Sequence, residues 1–161
     1  QYVVQRLFSG GGRFGPKGWP TLLRKAGRFA PKGWLFYSEI RKSYLVVLIS
    51  GIYEDCIEYL INKRVDTIGD SEVSAFIEKT LDIQMRNPNW DNLMTVLGRF
   101  SKKWVTIMNK KINNRVKTDL NNIVNNKNAV AHGNTSGLTL GEIKICNKNC
   151  KSIFEKLEKI M

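Results

Sequence analysis

The sequence predicts an all-α protein, an antiparallel helical bundle of about five to six helices. Two observations predict it. From about residue 36 onward, apolar residues recur at spacings of three and four, the period of one buried helix face, and not at two. The joints between these stretches carry helix starts and stops at Asp70, Asn89, Gly133 and Thr139, and no stretch combines period-two alternation with a hairpin turn.

The first helix is expected over residues 36–62, with Tyr37, Ile40, Tyr44, Leu48, Ile52, Cys56 and Tyr59 as its stripe. Residues 66–69 read as a turn. A second helix starts at a cap on Asp70 or Ser71 and turns Val73, Phe76, Ile77 and Leu81 inward. Asn87-Pro88-Asn89 ends it, because proline lacks a donor and disfavours helix in the residue before it. Asn89 caps a short third helix carrying Leu93, Val96, Leu97 and Phe100. Ser101 starts a fourth, with Trp104, Val105 and Met108 on its face. A fifth covers residues 114–132 and stops at Gly133. The last opens with Thr139-Leu140-Gly141-Glu142, the spacing of a capping box. Its Ile143, Cys146, Cys150, Ile153, Leu157 and Ile160 form a seam for another helix, within the fold or in a dimer.

Composition bounds the function classes. The chain has 161 residues, enough for one domain with a core, and 42% apolar and 25% charged residues are ordinary for a globular protein. The longest apolar run, Leu45 to Ile49, falls far short of the roughly 20 residues a membrane span needs. No membrane partner is expected, no signal-peptide pattern opens the chain, and a cytoplasmic protein is the default. Cys56, Cys146 and Cys150 are too few and too odd in number for a disulfide framework. With one histidine in the chain a four-ligand zinc site is hard to build, so core packing is the expectation for the cysteines. Neither metal nor cofactor is expected.

The net charge of +12 suggests a nucleic-acid partner. Seven of those charges lie in residues 1–35, which contain no acidic residue. Residues 36–161 hold 19 basic and 14 acidic residues, so charge alone does not establish RNA binding by the body. The first 35 residues also carry the near repeat Gly12-Arg13-Phe14-Gly15-Pro16-Lys17-Gly18-Trp19 and Gly27-Arg28-Phe29-Ala30-Pro31-Lys32-Gly33-Trp34, with no Asn or Ile. Two readings compete: a basic arm whose aromatics stack on bases, or a foreign leader outside the domain. The abrupt change of composition favours the leader, and the domain is placed at 36–161.

The chemistry sits at the end of the fifth helix. On a wheel of about 100° per residue, Val116, Leu120, Ile123, Val130 and Ala131 share a face, and Lys127 falls near its middle. A buried ammonium is costly unless paired or solvated, so Lys127 is expected to open into a cleft or an interface. Asn128 and His132, the only histidine, lie one turn apart at the edge of that face. The plainer reading makes His132 a favourable C-terminal residue with Gly133 as its left-handed cap, and Asn128 a surface residue.

Lys127-Asn128-Ala129-Val130-Ala131-His132-Gly133 resembles the Arg-Asn-three residues-His signature of HEPN domains. The stretches 50–60 and 93–104 resemble the RiboL-PSP-HEPN branch of that superfamily. The resemblance covers residues 36–161. It implies a helical bundle that dimerises, with the two motif helices facing each other across one cleft. It further implies a metal-independent endoribonuclease of a toxin or antiphage defence system, with RNA as substrate and an antitoxin or defence-system partner. Carried over by position, His132 is general acid or base, suited to an imidazole that titrates near neutral pH. Asn128 orients it or holds a phosphate oxygen, and Lys127 stabilises charge on the phosphorane. The expected product is a 2′,3′-cyclic phosphate. Lys127 replaces the family's arginine and lacks the planar fork that grips phosphate. Two other readings therefore stay open: a non-catalytic HEPN module that binds RNA or a partner protein, and a helical scaffold subunit. Glu54, on the first helix, is a candidate carboxylate for the motif, although a surface position is the simpler reading.

Overall fold

The computed structural model describes the backbone of residues 31–161 and the side chains from residue 38 onward, except those of residues 82 and 83. The Gly/Pro/Trp-rich leader therefore lies largely outside the described residues, as does the Tyr37 side chain. Among the described residues there are six helices and no strand. They are α1 (Pro31–Asp66), α2 (Ser71–Gln84), α3 (Trp90–Phe100), α4 (Lys102–Lys111), α5 (Asn114–Ala131) and α6 (Leu140–Ile160). None is long and apolar enough to cross a membrane.

The predicted starts and stops recur as hydrogen bonds. The Asp70 carboxylate accepts from the amides of Glu72 and Val73, each at 3.0 Å. Asn89 accepts from Asn92 N at 2.8 Å, and Asn113 accepts from Val116 N at 2.9 Å. Thr139 and Glu142 complete the capping box in both directions, at 2.8 and 3.2 Å. Gly133 takes φ +83°, the left-handed geometry that closes a helix without a Cβ penalty. Ser101 stands at the N-cap of α4, but its side chain makes no capping bond.

Helix α1, about 54 Å long at 1.5 Å per residue, is the spine. Its buried residues are Val46, Ile49, Tyr53, Cys56, Ile57, Leu60, Ile61 and Val65. The predicted stripe holds at Cys56, buried, and Ile52, half-buried, and fails at its other described positions. Ile40, Tyr44, Leu48 and Tyr59 are exposed, and the core face lies nearly opposite them. The helix is apolar on most sides, so a three-four pattern can be drawn along several faces and does not fix the phase. The helix also starts earlier than residue 36.

Helices α2, α5 and α6 pack on this spine, while α3 packs on α4 and α5, and α4 also on α6. Tyr53 meets Phe154 of α6 with ring centroids 5.0 Å apart, and its hydroxyl donates to Asn147 at 3.1 Å. The seam of α6 is spent inside the fold, since Ile143, Cys146, Cys150, Ile153 and Leu157 are all buried within one chain. Helix α2 makes its main contact with α1. Leu81 is buried and Ile77 half-buried as expected, but Val73 (40% exposed) and Phe76 (70%) are not inward, and Phe76 lines an open groove shared with Val96, Arg99 and Phe100 of α3. Phe100 is exposed as well and stacks on Trp104. On α5, Leu120, Ile123 and Val124 are buried and Val116 and Val130 are half-buried, while Ala131 is exposed beyond the core.

The cysteines pack as small apolar groups. All three are buried and free. Burial pushes the Cys56 and Cys150 thiols up to about 12, and burial with the nearby Asp119 carboxylate pushes Cys146 up to about 11.

Candidate functional site

The site forms where the C-terminal half of α5 runs antiparallel to α1. Lys127 faces Glu54, while Ser136, beyond the end of α5, bonds Ser43 earlier on α1. Residue numbers thus rise along one segment as they fall along the other. This register places the motif beside the part of α1 that precedes Glu54.

Lys127 points inward, and only 21% of its side chain is exposed. It does not open freely into a cleft, as the wheel suggested. Its ammonium lies 3.3 Å from Glu54 Oε1 and donates to the Arg86 carbonyl and, at 3.3 Å, to Asn87 Oδ1. An ammonium has three donors, and these acceptors match them in number. The cost of partial burial is therefore met by an internal cage that ties α5 to α1 and to the turn before α3.

Glu54 is a member of that cage rather than a plain surface residue. It is 23% exposed and also accepts from Ser50 Oγ, a fully buried hydroxyl, at 3.4 Å. Partial burial raises its carboxyl above the usual carboxylate range, and the Lys127 charge and the Ser50 hydroxyl oppose the rise. Ser50 and Glu54 are four apart on α1, a spacing visible in the sequence. That Glu54 meets a lysine 73 residues away is not.

His132 sits at the C-cap of α5, one residue past the helix, with its side chain exposed. Its amide donates to the carbonyls of Asn128 and Ala129 at 3.0 and 3.2 Å. Asn128 is half-buried one turn back, and neither side chain makes a hydrogen bond within the described residues. The amide and the imidazole are thus both presented at the end of the helix, with polar atoms free for a ligand. The third motif residue, Lys127, is held behind them.

One further residue positions the site. The Asn126 side chain bonds the Asn122 carbonyl at 2.9 Å, and its Oδ1 accepts from Gly137 N at 2.8 Å and Ser136 Oγ at 3.2 Å. It staples the loop after His132 back onto α5. Nothing separates Asn126 from Asn125 in the sequence; only the path of the loop does.

Beside this loop, Ile40, Tyr44, Val47 and Leu48 of α1 present an exposed apolar strip. Ser43, which contacts the loop, lies along the same part of the helix.

Comparison with known families matches residues 36–161 to RiboL-PSP-HEPN. Neither the comparison with curated proteins nor that with solved structures returns a match. The match spans the whole of the helical unit from residue 36 onward and includes the motif at the end of α5. On that ground the chain belongs to the RiboL-PSP-HEPN family, a group of nuclease and RNA-related modules.

Proposed function

We propose that the protein is a metal-independent endoribonuclease of a toxin or antiphage defence system, acting as a homodimer. The observation that carries the reading is the paired presentation of Asn128 and His132 at the exposed end of α5, in a chain with no other histidine. His132 takes the proton of a ribose 2′-hydroxyl or gives one to the leaving 5′-oxygen. Asn128 holds a phosphate oxygen or orients the imidazole. The bond from the 2′-oxygen to phosphorus forms as the bond to the 5′-oxygen breaks, leaving a 2′,3′-cyclic phosphate. Lys127 acts from behind. Its ammonium is shared with Glu54, so its first effect is to hold α5 against α1.

The apolar strip of α1 supports a second copy as the partner, since it lies beside the loop that follows His132. Two motifs would then meet at one groove. Cleavage of single-stranded RNA in EDTA, compared between the wild type and His132→Ala, tests the reading; product that persists in the variant contradicts it.

The caged ammonium favours a second reading, a HEPN module that binds RNA without cutting it. It predicts RNA binding unchanged by His132→Ala and no cyclic phosphate from the wild type.

A further inference from the structure

Charge is distributed unevenly over the helical unit. Residues 99–118 contain Arg99, Lys102, Lys103, Lys110, Lys111, Arg115 and Lys117 and no acidic residue. That stretch exceeds the net charge of the whole of 36–161, so the remainder of the unit is net negative. Six of the seven side chains are exposed, and those six make no ion pair within the described residues. The next acidic residue, Asp119, is buried and already accepts from Cys146 Sγ at 3.4 Å and Asn149 Nδ2 at 2.7 Å.

The placement of three of these cations, Lys102, Lys103 and Arg115, runs against local helix energetics. Helices α2, α3 and α6 each carry an acidic residue in the first turn: Glu72, Asp91 and Glu142. Helices α4 and α5 carry none. Instead Lys102 and Lys103 open α4, where the dipole disfavours positive charge, and Arg115 opens α5. Lys110 and Lys111 at the end of α4 are explained by that dipole; Lys102 and Lys103 are not. On a wheel of about 100° per residue, Lys102, Thr106, Lys110, Lys103 and Asn109 fall within one polar arc. Lys117 of α5 joins this arc, because its ammonium donates to Asn109 Oδ1 at 3.3 Å. It also lies 4.9 Å from the centroid of the Trp90 ring.

We infer that the polar arc of α4, continued by Lys117, is a binding surface for the RNA backbone, separate from the motif. The inference rests on the RNA reading above and adds to it where the strand is gripped. Cations with hydroxyl and amide side chains between them match a chain of phosphates. An anionic lipid surface matches less well. A helix that lies on lipid needs an exposed apolar face, whereas Trp104, Val105, Ile107 and Met108 of α4 are all buried or half-buried. Lys117 and His132 are fifteen residues apart along α5 and its cap, about 22 Å at 1.5 Å per residue. At about 3.4 Å per stacked nucleotide, about six nucleotides span the distance from surface to motif.

The test measures the affinity of a fluorescent single-stranded RNA for the full chain as a function of salt. The wild type is compared with Lys102→Gln/Lys103→Gln/Lys110→Gln and with His132→Ala. Each lost phosphate contact flattens the log–log salt slope by about 0.7, so the triple variant should lose about 2 and bind at least about tenfold more weakly at low salt. His132→Ala should keep the wild-type slope. The N-terminal basic segment is common to all three and cancels in the difference. An unchanged slope in a triple variant with wild-type circular dichroism overturns the inference. So does loss of binding to phosphatidylserine vesicles with RNA binding intact. A weakened triple variant together with a wild type that never cleaves RNA leaves this surface standing and removes the catalytic reading alone.

Discussion

The Lys127 ammonium and the Glu54 carboxylate lie 3.3 Å apart, joining the motif helix to the spine of the bundle. The basic residue of the motif is thereby part of the fold before it is part of any chemistry. Replacing it should cost stability. Lys127→Met keeps the aliphatic stem but leaves Glu54 with Ser50 as its remaining partner. The expected loss is about 1–2 kcal/mol, less than for a fully buried pair because both side chains keep some water contact. Glu54→Gln/Lys127→Met should recover much of it. Urea titrations of the wild type, the two single variants and the double variant give the coupling directly.

Glu54 also gives the fold a pH signature. Its folded-state pKa is raised by partial burial, so its contribution is full below the ordinary carboxylate range. That contribution is lost as pH rises through the folded value. Glu54→Gln lacks this titration. The stability of the wild type relative to Glu54→Gln should therefore fall as pH rises above the ordinary carboxylate value of about 4.3, read as the difference in Tm.

The cysteines should be inert in the native protein. With Cys56 and Cys150 thiols at about 12 and Cys146 at about 11, thiolate is scarce at neutral pH. A chromogenic disulfide reagent should label none of them rapidly in the folded chain and all three in denaturant.

The apolar strip makes the dimer testable. Val47→Glu/Leu48→Glu places charge on exposed positions, so the fold should survive with a stability change within about 0.5 kcal/mol per site. Light scattering should report two chains for the wild type and one for the variant, and cleavage should fall with the dimer.

Helix ends were legible because caps are local: Asp70, Asn89 and the Thr139–Glu142 box need only residues two to three positions away. The phase of α1 was not, since an apolar helix is oriented by what packs on it, here Phe154 and the rest of α6. Phe76 is exposed for the converse reason, an apolar position that meets an open groove toward α3 and not a closed core. In the site, the inward turn of Lys127 follows from its apolar neighbours on α5. Its partners Glu54, Arg86 and Asn87 are supplied by other elements, and no local pattern names them.

The central claim is that His132 performs acid–base chemistry on RNA. Its side chain is exposed and makes no hydrogen bond within the described residues, so His132→Ala should melt with the wild type, within about 0.5 kcal/mol. The direct measurement is cleavage of a labelled single-stranded RNA in EDTA, with the termini of the products identified. The wild type should yield 2′,3′-cyclic phosphate ends, and His132→Ala should lose at least about a hundredfold in rate, the lower range for a general acid or base. Equal rates in the two proteins, or no cleavage by a dimeric and RNA-bound wild type, would contradict the claim.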